Sequence, residues 1–176
     1  MDRPRWIGLI RGIGPTTHAK MSMQSLRERC EEAGLTDVRT LLATGNLICT
    51  SPLAREAVQA RIEAVIRDHG LEKNPVVMRT PAEIAATMAA CPFKEAAEAR
   101  PSKLLIAYLD GPAPDGVEDM LAEYGPEPVK AVGDVVYIDY SDGVATSKLT
   151  PDRLARVTGH VVTARNWTTS GKLAAL

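Results

Sequence analysis

Two short stretches of this sequence gather the side chains that chemistry needs. The first is "RGIGPTTHAKMS", in which Arg11, Thr16, Thr17, His18 and Lys20 fall within ten residues and run into an amphipathic segment. Guanidinium, ammonium and hydroxyl groups ahead of a helix, whose first N–H groups have no partner within it, are the ingredients of an anion site. The spacing is not that of a nucleotide loop: Gly12-x-Gly14 has Thr17 where the dinucleotide fingerprint needs its third glycine, and no Gly-Lys-Ser/Thr follows. The second stretch is "TARNWTT", residues 163–169, in which Arg165, Asn166 and Trp167 stand together. It reads first as a joint between a strand and a closing helix, with Asn166 as the cap and Trp167 as the docking plate, and second as a site in which Arg165 faces a ligand.

Other chemistries lack their parts. The three histidines, His18, His69 and His160, show no metal-ligand spacing, and no metal is expected. His69 and His160 lie near helix ends, where they serve as dipole partners. No nucleophile has a base visible nearby in sequence, and Asp139, Asp142 and Asp152 read as turn or capping residues. Cys30, Cys49 and Cys91 are odd in number and lie in apolar stretches, as small buried hydrophobes of a reducing compartment do.

The elements that must position these residues repeat. Trp6–Ile10 is a strand; "SMQSLRERCEEAGL" places Met23, Leu26, Cys30 and Ala33 on one helical stripe; "DVRTLLATGNLICTS" is a hairpin turning at Thr44-Gly45-Asn46. Ser51-Pro52 predicts an N-cap for a helix with Leu53, Ala57, Ile62, Val65 and Ile66 inward, and "PVVMRT" closes a βαββαβ unit over residues 1–80. Residues 81–102 read as a linking helix with a capping box at Thr80–Glu83, followed by the polar linker "CPFKEAAEARPS". Residues 103–176 repeat the order: strand "KLLIAYLDG", helix "GVEDMLAEYG", strands "PVKAV" and "DVVYIDY", helix "TPDRLARVTG", strand "HVVTA", then a terminal helix from about Thr168. The predicted fold class is α+β: two tandem ferredoxin-like, or α/β-plait, units.

Aligning the halves brings out two correspondences. Both last strands leave through arginine and a capping residue, Arg79-Thr80 and Arg165-Asn166. Both first strands end at a charged residue followed by glycine, but the charge is inverted, Arg11-Gly12 against Asp110-Gly111.

The chain of 176 residues carries a formal net charge of -1, which gives no general pull toward nucleic acid or membrane. Residues 1–90 hold 12 Lys/Arg against 10 Asp/Glu and residues 91–176 hold 9 against 12, a mild bias toward an anion-accepting first half. Aromatic residues make up only 4% of the chain, too few for the base-stacking platform of RNA-binding plaits. The N-terminal apolar run is too short for a secretory core and nothing approaches a membrane span, so a cytoplasmic location is expected.

The sequence resembles the bacterial family known as domain of unknown function 1697 over essentially its whole length. The resemblance rests on Arg11-Gly12-Ile13 with Lys20-Met21 and Leu26, on Gly45-Asn46, on Arg79-Thr80 with Pro92-Phe93, on Ser147–Thr150, and on Thr163–Trp167 with Thr169, Lys172 and Leu173. It implies a pair of plait units and brings no established activity, cofactor or catalytic residue. The chain departs from the family pattern at Gly14–Thr17, where relatives have an Asn-x-Gly-Gly type loop, and at Thr168, where they often have Asn.

The functional expectation is a binding module without a cofactor. Arg11, Gly12, Lys20, Asn46, Arg165, Asn166 and Trp167 are expected to meet at the seam of the two units and hold a small phosphate- or carboxylate-bearing ligand. Three alternatives stay open: an enzyme acting on a small molecule in the same pocket through Thr16, Thr17 and His18; a structural or interaction protein; and a weak nucleic-acid binder through phosphate contacts alone. Neither the oligomeric state nor the ligand follows from the residues.

Overall fold

The computed structural model describes residues 3–176, which divide into two compact units, the first ending at residue 81 and the second spanning 82–176. The first contains β1 (Arg5–Ile10), α1 (Pro15–His18), α2 (Met23–Glu32), β2 (Thr36–Leu41), β3 (Asn46–Thr50), α3 (Arg55–Asp68) and β4 (Val76–Arg79). Its four strands form an antiparallel sheet in the order β2-β3-β1-β4, the order a βαββαβ chain adopts when each helix returns its strand to the far side of the first pair.

Period-two alternation sorts the side chains of this sheet. Trp6, Ile10, Leu47, Cys49, Val76 and Met78 join a core with Leu26 and Cys30 of α2 and with Val58, Ile62, Val65 and Ile66 of α3. The intervening residues Ile7, Leu9, Ile48 and Val77 are buried too, as are Asn46 and Arg79. The predicted α3 stripe is corrected at its start. Ser51 is not the cap: its Oγ accepts the Leu53 N–H in a tight turn, the helix begins three residues after Pro52, and Val58 faces inward while Ala57 is exposed.

The second unit contains α4 (Pro81–Ala89, its first residue in the preceding unit), α5 (Lys94–Ala99), β5 (Leu104–Leu109), α6 (Val117–Ala122), β6 (Val129–Val132), β7 (Val135–Asp139), α7 (Pro151–Thr158), β8 (Val162–Asn166) and α8 (Trp167–Ala174). The sheet order β6-β7-β5-β8 repeats that of the first unit. Leu109, Val136, Ile138 and Val162 pack with Val117 and Leu121 of α6 and Leu154 of α7. On the opposite face the Tyr108 hydroxyl donates to Ser170 Oγ of α8 at 2.9 Å, and the Tyr137 hydroxyl to the Thr87 carbonyl of α4 at 2.6 Å. The stretch "CPFKEAAEARPS" is not a plain linker, for it holds α5; six strong helix formers between Pro92 and Pro101 fold into a turn and a half.

Candidate functional site

The loop after β1 is built by the start of β4. The Arg11 N–H donates to the Pro75 carbonyl at 3.0 Å, and Asn74 Nδ2 donates to the Arg11 carbonyl at 2.9 Å and the Gly12 carbonyl at 3.3 Å. Gly12 has φ +76, a left-handed conformation costly for residues with a Cβ, and a Cβ there would stand 3.0 Å from Asn74 Nδ2. Glycine thus lets the chain turn at Arg11 while keeping its backbone against Asn74.

Around this corner lies a cleft of about 510 Å³ whose walls include Arg11, Glu63 and Arg67 of α3, and Glu72, Lys73 and Asn74. A second cleft of about 300 Å³ shares the wall Leu71–Asn74 and adds Lys20 and Gly70. Two of the sequence-derived candidates, Arg11 and Lys20, therefore border one segment, residues 71–74, and Gly12 shapes the turn. Arg67 and Lys73 supply two more cations that sequence reasoning missed; they carried no motif, and only the return of α3 into β4 brings them to Arg11.

The rest of the loop is occupied with its own structure. Thr17 Oγ1 accepts the Gly14 N–H and donates to the Gly14 carbonyl, both at 3.0 Å, and His18 Nε2 pairs with the Ala43 carbonyl at 2.9 Å. At α2 the Ser22 hydroxyl accepts the Ser25 N–H, so one of the expected anion-receiving donors is already used.

The remaining candidates have defined structural partners. Asn46 is fully buried, and its Nδ2 donates to the Leu41 carbonyl at 2.9 Å and Thr44 Oγ1 at 3.2 Å, pinning the β2–β3 turn. Arg165 opposes Ile106 across the β5–β8 ladder and donates to Thr163 Oγ1 at 2.9 Å and the Ala164 carbonyl at 2.8 Å. Desolvation lowers its guanidinium to about 10, which leaves it charged at neutral pH. Arg79 makes the matching bond in the first unit, to the Met78 carbonyl at 2.9 Å, opposite Ile7. Asn166 caps α8 by accepting the Thr169 N–H at 2.8 Å, and Trp167, half-buried, opens that helix with its backbone N–H on the Pro101 carbonyl.

The charge inversion between the halves takes structural form in the loop that follows the first strand of each unit. Asp110 stands where Arg11 does, its N–H on the Val161 carbonyl at 3.2 Å as that of Arg11 is on Pro75. There His160 replaces Asn74: its Nδ1 lies 3.0 Å from Asp110 Oδ1 and its Nε2 2.8 Å from the Pro112 carbonyl. The Asp110 carboxylate also accepts the Val161 N–H at 2.9 Å. A side chain at Gly111 would run into the imidazole ring. The corner of the second unit is thus filled by the hydrogen-bonded Asp110 and His160 side chains, whereas that of the first borders a cleft with Arg11, Arg67 and Lys73 on its walls.

Asp139 also departs from its sequence reading. It is a buried strand residue, held by Arg100 through Nε at 2.9 Å and Nη2 at 2.5 Å. That partner lies 39 residues earlier, beyond the reach of any local pattern. Among the described residues no group of three or more His, Cys, Asp or Glu side chains could hold a metal ion, and no helix is long and apolar enough to cross a membrane.

Two plait units in tandem, with a cationic corner in the first, define an α+β protein of duplicated design. Residues 3–137 match the model of the family described as protein of unknown function (DUF1697), and the chain belongs to that family. The conserved bacterial protein SP0830 from Streptococcus pneumoniae shares the fold: TM-score 0.67 at 16% identity, covering 99% of this chain and 98% of that one. No curated protein matches the chain.

Proposed function

We propose that the protein binds a small phosphate- or carboxylate-bearing ligand in the cleft beside Arg11. The comparison of the two corners carries this reading: the same position is closed by an Asp110–His160 pair in one unit and bordered by Arg11, Arg67 and Lys73 in the other. A guanidinium pairs with a carboxylate or phosphate through two parallel N–H donors, and the lysines add point charge. Glu63 and Glu72 on the same wall favour a ligand that also carries a donor, such as an amino or hydroxyl group. Arg11 and Gly12 form the first contact, and Lys20 extends the binding surface into the adjoining cleft.

A thermal-shift series with pyrophosphate, citrate and nucleotides tests it. A ligand at a hundredfold excess over its Kd adds about 2.7 kcal/mol, which raises Tm by several degrees in a protein of this size. The expected outcome is a saturable rise that Arg11→Ala removes and a Lys148→Ala control keeps. Flat melting curves, or a rise indifferent to Arg11, would contradict the proposal.

A further inference from the structure

The described side chains include one hydroxyl and one imidazole joined as a nucleophile and base are joined, and neither lines the Arg11 cleft, although His69 stands in the chain between Arg67 and Leu71 of its wall. Ser25 lies in the first turn of the ten-residue α2, and His69 caps the C-terminus of α3. Ser25 Oγ is 2.7 Å from His69 Nε2, and His69 Nδ1 is 2.7 Å from the Val65 carbonyl. A carbonyl oxygen only accepts, so Nδ1 carries the proton of the neutral ring. Nε2 then presents its lone pair, and the Ser25 hydroxyl is the donor. Tautomer, ring orientation and direction of proton transfer all follow from the Val65 bond.

We infer that Ser25 is a nucleophile activated by His69, suited to acyl transfer from a carboxylic ester. This goes beyond the anion-binding reading and does not rest on it. Ser25 is half-buried, and its backbone is fixed by its N–H bond to Ser22 Oγ at 3.0 Å. It also lies at the positive end of the α2 dipole, which favours negative charge developing on Oγ. In the first step Oγ forms a bond to the ester carbonyl carbon while its proton passes to Nε2. The tetrahedral intermediate collapses with cleavage of the bond to the leaving oxygen, which takes the proton from Nε2. Water, deprotonated by the same nitrogen, then attacks the acyl-serine and releases the acid, and the proton returns to Oγ.

The sequence hid this pair because its members are 44 residues apart and each has a local role, one in a first helical turn and the other at a helix end.

A fluorophosphonate probe reads the proposal directly on the intact protein. Oγ would form a bond to phosphorus, fluoride would leave, and the proton would pass through His69 to solvent. Mass spectrometry is expected to find one adduct on the Ser25 peptide of the wild type and none in Ser25→Ala. His69→Gln, checked for a cooperative melt, is expected to label at least ~100-fold more slowly, the usual loss when a general base is removed. Absence of an adduct on wild-type Ser25 would overturn the inference without recourse to any variant. So would an unchanged labelling rate in folded His69→Gln.

Discussion

Asn166 shows how a single side chain serves the frame. Its Oδ1 accepts the Thr169 N–H at 2.8 Å, one of the donors that the start of α8 leaves without a helical partner. Asn166→Ala is therefore expected to lower stability by about 1 kcal/mol, read as a shift in the urea midpoint at unchanged slope. This role was legible, because an asparagine directly before a helical run has few other uses. Asn46 was read as a turn residue and as a ligand contact; that its amide is buried and donates to the end of β2 and to Thr44 depends on a fold no local pattern encodes. Buried polar contacts of this kind have measurable consequences elsewhere as well. Tyr108→Phe leaves the Ser170 hydroxyl without its donor in a fully buried position, and a loss of roughly 1–3 kcal/mol is expected from the same urea titration.

At the scale of the element, the β2–β3 turn concentrates the constraint. Gly45 has φ +85, its carbonyl accepts the Ile10 N–H at 2.9 Å, and a Cβ there would lie 2.8 Å from the Ile10 carbonyl oxygen and from Ile13 Cγ1. Gly45→Ala combines backbone strain with a clash and is expected to cost more than about 1 kcal/mol. Leu42 in the same turn is the converse case. It holds φ 59 with a branched side chain 48% exposed, so there is strain to relieve and little packing to lose. Leu42→Gly is expected to raise stability by about 1 kcal/mol, and a lower Tm would contradict that account. The sequence announced this hairpin through Gly45-Asn46 yet gave no sign that Leu42 would turn left-handed. Likewise α5 lies inside the stretch read as a polar linker, where Pro92 and Pro101 frame "KEAAEA" rather than interrupt it. The α3 stripe slipped at its first turn because Ser-Pro resembles a cap, while the Ser51 hydroxyl is committed to the Leu53 N–H.

For the molecule as a whole, duplication was the most legible property, since among the described residues a set of four strands recurs in one order in each half. The separate fates of the two corners were not, because Arg11 and Asp110 differ in sequence only by charge, whereas their neighbours Asn74 and His160 arrive from the other end of each unit. The buried thiols give the first unit a pH response. Burial pushes Cys30 up to about 12, with smaller contributions from Cys49 and Glu31, and pushes Cys49 up to about 11. In the unfolded chain these thiols ionise near the ordinary value of 9.0, while the folded state keeps them protonated. Their contribution is therefore complete below pH 9 and is lost as pH rises through about 11 to 12. Urea midpoints are expected to fall across that interval, with a shallower fall in a Cys30→Ala, Cys49→Ala protein. At pH 8 the native wild type is expected to resist thiol reagents that modify it rapidly once unfolded.

The cationic corner is most directly tested by a titration of the isotopically labelled protein with pyrophosphate, followed by amide chemical shifts. The account predicts saturable shifts at Arg11–Gly14, Lys20, Arg67 and Leu71–Asn74 that disappear in Arg11→Ala, with the amides of Asp110–Gly111 and His160–Val161 unmoved. Shifts that never saturate, or that centre on residues away from the Arg11 corner, would contradict it.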